Sequence, residues 1–288
     1  MAADLAKTGD RVIPAELLAH IPGGASGRPV RDMHLLAGGG QLNRCVAVTT
    51  DEGRFVLRLR VTPGERPGAS PAQELRCHLA AASLGIAPGI AAAAPDGAWI
   101  VMDYVDAPAW RSEDLQAPGR LESLGRQLAV LHDVSPLGVQ SLDIRAIVEG
   151  QAAIIQQRNP AGGEGLRRLQ ARAHSLSNEI AHHKIRTVLC HGDLSATNFL
   201  GPQPMMVDWE YAQRADPVYD VACLMSYYPA LEPLLDRLLG AAALDDAASR
   251  ERLGLYRQLF DVFNSLWLGA QGADHGDAAG LVQRPSAQ

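Results

Sequence analysis

The sequence predicts a two-lobed α+β fold, in which a strand-rich lobe over residues 1–103 precedes a larger, mainly helical lobe over residues 104–288. Two patterns predict this division. Short hydrophobic runs bounded by turn residues dominate the first lobe, whereas apolar residues at three- and four-residue steps dominate the second. The first lobe is expected to contain an antiparallel sheet with one helix, and 288 residues are enough to bury a sizeable core.

Hydrophobic alternation predicts the strands of the first lobe. Between residues 55 and 61 the apolar side chains occupy one face, while Arg58 and Arg60 occupy the other. A helix is predicted to begin after Ser70, a plausible N-cap, with Pro71 at its first position and Gln73 completing a capping box. The remaining strands of this lobe are predicted at residues 33–36, 45–48 and 99–102.

The second lobe has a helical period interrupted by two short apolar runs. Leucines recur at three- and four-residue steps between residues 121 and 131, which predicts an amphipathic helix. The two apolar runs, residues 187–190 and 205–207, are predicted as buried strands whose ends are adjacent. Further helices are predicted at residues 165–181, 218–228, 231–242 and 249–268.

Composition and charge exclude several classes of protein. The formal net charge of -6 argues against nucleic acid as the main partner, because nucleic-acid binding usually requires a basic surface. No uninterrupted apolar run reaches the roughly 18 residues of a membrane span, so no membrane insertion is expected. The four cysteines are widely spaced in apolar surroundings, which is typical of free thiols in the cytoplasm. They are Cys45, Cys77, Cys190 and Cys223.

The most informative motif begins at His191 and continues through Asp193 to Asn198, and Asp208 follows ten residues later. This is the spacing that phosphoryl transfer requires. The first carboxylate, Asp193, can orient the attacking hydroxyl, while the amide oxygen of Asn198 and the carboxylate of Asp208 can hold the magnesium ion on ATP. The motif therefore predicts phosphoryl transfer from magnesium-bound ATP to a hydroxyl group.

Two other interpretations of this motif are possible. Asp and Asn favour turns through local side-chain hydrogen bonds, so Asp193 and Asn198 could merely stabilise a turn. Cys190 and His191, with His182 and His183 nearby, could indicate zinc, but the paired spacing that would complete four ligands is missing.

Residues of the first lobe complete the predicted nucleotide site. Gly39 and Gly40 follow the first predicted strand, and glycines there would let main-chain N–H groups approach phosphate oxygens, although a tight hairpin explains them equally well. Arg58 is placed to contact the phosphates, with Arg60 as a rival on the same face. Glu74, in the first turns of the next helix, could pair with Arg58 or be solvated at the helix terminus.

The order of these motifs resembles the aminoglycoside phosphotransferase and choline/ethanolamine kinase superfamily, which has a protein-kinase-like fold. The resemblance runs from about Leu36 to Gln271, and residues 191–200 with 207–212 are its most specific part. The segments at Gly39–Asn43 and Val56–Leu59 are similar to choline-kinase-like members.

This resemblance implies a role for each matching residue. Asp193 would be the catalytic base, Asn198 and Asp208 the magnesium ligands, and His191 a brace of the catalytic loop. Asp220 would anchor that loop, whereas we interpret Asp216 as a helix cap. The resemblance also implies that the stretch around Met102, residues 99–104, is the hinge that meets adenine. The predicted cofactor-binding residues are Gly39, Gly40, Asn43, Arg58, Glu74 and Met102.

Substrate choice is predicted from an acid and several aromatic residues. Glu210 and Tyr211 follow Asp208, and a late aromatic stripe ending at Trp267 resembles the choline-kinase segment that supplies the ammonium pocket. A helical aromatic stripe, however, is more often part of the core than of a ligand cage. Asn264 stands where choline kinases tend to have tryptophan, which leaves ethanolamine, thiamine or another amino alcohol open.

The prediction is therefore an ATP- and Mg²⁺-dependent phosphotransferase that acts on a hydroxyl of a small cationic amino alcohol. The alternatives are an aminoglycoside antibiotic phosphotransferase and a catalytically silent nucleotide-binding module.

Overall fold

The computed structural model describes residues 13–24, 30–36, 43–60, 70–134, 137–158 and 163–271. Its first lobe is built on a five-stranded antiparallel sheet with the strand order β1-β2-β3-β5-β4. The predicted antiparallel lobe is therefore confirmed, and β4 is a strand that the sequence did not predict. The strands are β1 (Asp32–Leu35), β2 (Asn43–Thr49), β3 (Arg54–Arg60), β4 (Ile90–Ala93) and β5 (Trp99–Asp103).

The two faces of this sheet have different neighbours, because alternate side chains of a strand point to opposite faces. Phe55 and Leu57 of β3 pack with Ile13 and Ile21, which flank the short helix α1 (Ala15–Leu18). On the opposite face, Val56, Ile100 and Met102 pack against Leu75 of helix α2 (Pro71–Ser83). Arg58 lies in the same alternation as Val56, so β3 directs it toward the side of the sheet that α2 covers.

Helix α2 begins at Pro71 as predicted, but the predicted capping box is wrong. The Ser70 side chain makes no capping hydrogen bond. The Gln73 side chain instead donates from Nε2 to the main-chain oxygen of Ala212, 3.0 Å away, and accepts the N–H of Gln140 at 3.0 Å. Both partners belong to the second lobe, so Gln73 attaches α2 to that lobe.

The second lobe is mainly helical around one large hydrophobic core. One of its helices, α4, has no counterpart among the predicted helices, although its buried residues Ile144, Val148, Ala152 and Ile155 recur at three- and four-residue steps. The helices are α3 (Arg120–Leu131), α4 (Ile144–Arg158), α5 (Gly163–Ala181), α6 (Val218–Tyr227), α7 (Leu235–Ala241) and α8 (Ala247–Gln271).

The two short strands that carry the acidic motifs are not neighbours, which corrects the predicted arrangement. β6 (Val188–Cys190) pairs with β9 (Gln213–Ala215), whereas β7 (Phe199–Leu200) pairs with β8 (Met205–Met206). Each acidic residue follows a strand of a different two-stranded sheet. Hydrogen bonds between the loops after these strands, rather than strand pairing, bring the acidic residues together.

The four cysteines are free, and Cys77, Cys190 and Cys223 are buried. Burial raises the pKa of Cys77 to about 12 and that of the half-buried Cys45 to about 11, so both thiols are protonated at neutral pH. Among the helices of the described ranges, none combines the length and apolar content that a membrane crossing requires.

His78 of α2 makes folding stability depend on pH. Its Nε2 donates to the main-chain oxygen of Pro88 at 2.9 Å, and burial lowers its pKa from 6.5 to about 4. At a pH between about 4 and 6.5, the His78 side chain is therefore protonated in the unfolded chain but not in the folded chain. The stability is therefore complete above pH 6.5 and decreases as the pH falls toward 4.

We expect the free energy of unfolding, measured with urea, to fall by about 2 kcal/mol more between pH 7 and pH 5 in the wild type than in His78→Gln. His182→Gln, which changes an exposed histidine, is the control and should keep the wild-type slope. An equal slope in the wild type and His78→Gln would show that His78 does not titrate on unfolding.

Candidate active site

A buried carboxylate at the start of α6 fixes the loop that follows β6. Asp220 is fully buried and accepts the N–H of His191 through Oδ2, at 3.1 Å, and the N–H of Gly192 through Oδ1, at 2.9 Å. The Nε2 atom of His132 donates to the same Oδ2 at 2.9 Å. Asp220 therefore holds the main chain of the loop, as the family resemblance of the sequence implied.

Gly192 is required at the turn of this loop. Its φ is +77°, and a Cβ at this position would lie 2.6 Å from the main-chain oxygen of Tyr211. Only glycine combines this backbone conformation with so close an approach.

His191 connects the two acidic loops. Its Nδ1 accepts the N–H of Asp193 at 3.3 Å, and its Nε2 donates to the main-chain oxygen of Val207 at 3.0 Å, which requires the tautomer with the hydrogen on Nε2. The ring is buried, with its centroid 4.6 Å from that of Trp209. Because Val207 directly precedes Asp208, these contacts fix the distance between the two acidic loops.

The Asp193 carboxylate is buried and its two oxygens accept from different elements. Tyr227, the last residue of α6, donates its hydroxyl to Oδ1 at 2.9 Å. The amide nitrogen of Asn198 donates to Oδ2 at 3.2 Å and to the Asp193 main-chain oxygen at 3.0 Å. The amide oxygen of Asn198 is consequently the atom of that side chain that can bind a cation.

Asp208 has an unusual backbone conformation. Its φ of 65° and ψ of 67° lie in the left-handed region, which costs free energy for a residue other than glycine and is common at functional sites. The side chain is 39% exposed, in contrast to the buried Asp193. Val207 donates its N–H to the Asn198 main-chain oxygen at 3.0 Å, so the main chains leading to both predicted magnesium ligands are directly connected.

Arg58 joins the sheet to these loops. Its Nη1 forms an ion pair with Oε1 of Glu74, as predicted, and its Nη2 lies 3.4 Å from Oδ1 of Asp208. Arg58 is buried, while its rival Arg60 is only half-buried at the end of β3. Arg58 is therefore the arginine that lies beside Asp208, and its contact with phosphates remains a prediction.

The structure describes only some of the other residues that were predicted to contact the nucleotide. Asn43 is buried at the start of β2, opposite Arg60. Gly39 and Gly40 lie outside the described residues. The predicted hinge needs a correction, because residues 99–103 form β5, which has strand neighbours on both sides and uses its main chain in the sheet. Met102 belongs to this strand, and its contact with adenine remains a prediction.

A cavity of about 100 Å³ adjoins the Asp193 loop. Gly192 of that loop is part of its wall, and Tyr227 connects the wall to the Asp193 carboxylate. Among the described residues, the wall also includes three side-chain amides, those of Gln151, Gln213 and Asn264, and no carboxylate. Six aromatic side chains line the cavity: Tyr211, Tyr219, Tyr227, Phe260, Phe263 and Trp267.

The cavity brings together two of the three predicted substrate residues. Tyr211 and Trp267 line it, whereas Glu210 is not among the described residues of its wall. The reason is local: Trp209–Tyr211 form a single 3₁₀ turn, in which consecutive side chains point about 120° apart. Trp209 faces the core and Tyr211 faces the cavity, so the half-buried Glu210 points in a third direction.

The late aromatic stripe divides between core and cavity. Tyr256 is buried in the core, with its ring centroid 5.8 Å from that of Tyr219. Phe260 is buried and reaches the cavity, while Phe263 and Trp267 are half-buried in its wall. Both interpretations of the stripe thus apply, to different residues.

Tyr219 and Tyr227 of α6 were not predicted as part of the site. They are eight residues apart, which places them on one helical face, and this spacing was the signal available in the sequence.

Two lesser predictions also have an outcome. Asp216 accepts the N–H of Val218, the first residue of α6, at 3.2 Å, as a helix cap would, and also pairs with Arg252. The zinc interpretation has little support: His182 is exposed and His183 half-buried, beyond the end of α5. Cys190 instead lies close to His132 and Asp220.

The fold and the site together define a phosphotransferase that acts on small molecules. The chain belongs to the phosphotransferase enzyme family, because residues 35–278 match the sequence pattern of that family. No curated protein is detectably similar to the chain in sequence.

Several solved structures share the fold at low identity. A choline kinase from Cryptosporidium parvum Iowa II is 15% identical, with a TM-score of 0.73, and covers 93% of this chain and 91% of its own. A choline/ethanolamine kinase family protein from Mesorhizobium loti is 22% identical, with a TM-score of 0.72, over 97% and 90% of the two chains. Aminoglycoside 2'-phosphotransferase-IIIa is 19% identical, with a TM-score of 0.59, over 88% and 91%. The predicted superfamily and kinase-like fold are confirmed.

Proposed function

We propose that the protein transfers a phosphoryl group from ATP to the hydroxyl of a small amino alcohol whose cationic group occupies the aromatic cavity. The observation that carries this proposal is the position of the cavity. Tyr227 lines its wall and also donates a hydrogen bond to the Asp193 carboxylate. A cation against several aromatic faces is stabilised by the ring quadrupoles, and most strongly where water is excluded. An amino alcohol held there would extend its hydroxyl toward Asp193.

The chain's own residues supply the positioning that the transfer requires. Asp193 orients the acceptor hydroxyl and accepts its proton as the oxygen bonds to the γ-phosphorus and the bond to ADP breaks. Asn198 and His191 hold Asp193 in place, and Asp220 holds the loop that carries it. Arg58 adds positive charge beside Asp208, where the phosphates would lie.

The residues present also fit a magnesium ion. Magnesium prefers oxygen ligands, often few from the protein and the rest from phosphates and water. Asn198 offers an amide oxygen and Asp208 a partly exposed carboxylate, and a main-chain hydrogen bond connects their loops. When bound, magnesium would neutralise charge on the transferring phosphate.

The aminoglycoside alternative is less favoured by the cavity. A large polycation requires a broad acidic cleft, whereas the described wall of this cavity contains no carboxylate.

An acceptor panel tests the proposal. ADP release and phosphorylated product are measured with ATP and choline, ethanolamine, thiamine, kanamycin or sorbitol as acceptor. We expect turnover of at least one amino alcohol and none of sorbitol, because a neutral polyol gains nothing from the aromatic faces. Preferred turnover of kanamycin or sorbitol would contradict the proposal, and no turnover of any acceptor would favour a silent nucleotide-binding protein.

Substitution of Trp267 connects that activity to the cavity. Trp267→Leu should raise the KM for the amino alcohol by about tenfold, and Trp267→Phe by less, since a phenyl face attracts a cation less than an indole does. The KM for ATP should stay unchanged, because the cavity is separate from the Arg58 side of the site. An acceptor KM that both variants leave unchanged would remove the cavity from substrate binding.

A further inference from the structure

Tyr227 ends α6 where the cavity meets the catalytic loop. Its half-buried ring lines the cavity, and its hydroxyl donates to Oδ1 of Asp193 at 2.9 Å. The other carboxylate oxygen, Oδ2, accepts from Asn198 at 3.2 Å. Two donors from different elements therefore hold the two oxygens of Asp193.

We propose that Tyr227 is a positioning residue, which fixes the orientation of the Asp193 carboxylate from within the substrate cavity. The inference rests on the proposed function in that it assigns Asp193 to the acceptor hydroxyl. The carboxylate plane can rotate about the Cβ–Cγ bond, and hydrogen bonds to both oxygens restrict this rotation more than the bond from Asn198 would by itself. The hydrogen bond from Tyr227 thus fixes the carboxylate plane of Asp193. It thereby fixes the direction from which Asp193 can accept the hydrogen bond of the acceptor hydroxyl.

The chemistry of a phenol suits this position. A hydroxyl that donates to a charged carboxylate makes a stronger hydrogen bond than one between neutral groups. Each carboxylate oxygen has a further lone pair, so Asp193 can still accept from the acceptor hydroxyl. The ring of Tyr227 also forms part of the cavity wall. A substrate that packs against this ring therefore contacts the same residue that orients Asp193.

The next residue provides a matched control. Tyr228 accepts the N–H of Ala196 on its hydroxyl oxygen at 2.7 Å, so it contacts the same catalytic loop but through the main chain. The two rings are 6.3 Å apart and nearly perpendicular, at 89°. Tyr228→Phe therefore removes a tyrosine hydroxyl that also contacts the catalytic loop, but it leaves the contacts of the Asp193 carboxylate in place.

The test compares Tyr227→Phe and Tyr228→Phe with the wild type, using the acceptor of the panel that the wild type phosphorylates fastest. Tyr227→Phe should lower kcat by about 10- to 100-fold, as loss of alignment does, while the acceptor KM stays within about twofold because the ring remains. Tyr228→Phe should keep kcat within about twofold of the wild type. Thermal unfolding of both variants confirms that they are folded.

Two results would overturn the inference. They are an unchanged kcat in Tyr227→Phe, whatever its acceptor KM, and an equal loss of kcat in both variants. If the wild type uses no amino alcohol, the proposed function fails on its own, and the same comparison is made on its other acceptor or on hydrolysis of ATP by water. A kcat loss specific to Tyr227→Phe would support the inference there too.

Discussion

Asp193→Asn is expected to lower kcat by about 10²–10⁴-fold, which is typical of the loss of a general base, while ATP still binds. The replacement is nearly isosteric, but an amide cannot take the proton of the acceptor hydroxyl. The structure adds a second cost. Tyr227 and Asn198 each donate to one carboxylate oxygen, so the amide NH₂ of the new asparagine must face one of these donors.

The measurement is steady-state turnover together with calorimetric titration of ATP. Asp245→Asn, which changes an exposed carboxylate in the turn before α8, is the control and should behave as the wild type does. Turnover close to the wild-type rate in Asp193→Asn would remove Asp193 from the mechanism.

Asp208→Ala is expected to abolish transfer and to weaken binding of magnesium–ATP far more than binding of metal-free ATP. The carboxylate is 39% exposed beside Arg58, so its removal leaves both the metal and that arginine without their oxygen partner at this position. Metal-free ATP should lose little affinity, since a carboxylate repels the phosphates when no cation lies between them.

Calorimetric titrations with magnesium and with a chelator distinguish the two nucleotide forms. Asp236→Ala removes an exposed carboxylate that also pairs with an arginine, Arg250, and serves as the control. If both forms of ATP lose the same affinity in Asp208→Ala, Asp208 is a structural residue rather than a metal ligand.

The sequence predicts the local part of this site well. Asp193 and Asn198 lie five residues apart in one loop, so a local motif was enough to assign them to one site, and the structure adds the contact between their side chains. The pair between Arg58 and Glu74 was also predictable, because β3 and the first turn of α2 succeed each other along the chain.

The parts that were not predicted depend on contacts distant in sequence. Gln73 had an adequate local role as a cap, and only the folded chain shows that its partners are Gln140 and Ala212. Tyr227 similarly looks like an ordinary helix residue until α6 is placed against the Asp193 loop. For Glu210 the sequence did not indicate the direction of the side chain, which one 3₁₀ turn points away from the cavity wall, and its role in substrate binding remains a prediction.

The attachment of α2 by Gln73 has a consequence for nucleotide affinity. The helix carries Glu74 next to Gln73, and Glu74 sets the position of Arg58 relative to Asp208. When a binding-competent arrangement is only a fraction of the population, the apparent dissociation constant rises by the inverse of that fraction. Because Gln73 holds α2 against the second lobe, we expect it to raise that fraction, so that Arg58, the predicted phosphate contact, is in position before ATP binds.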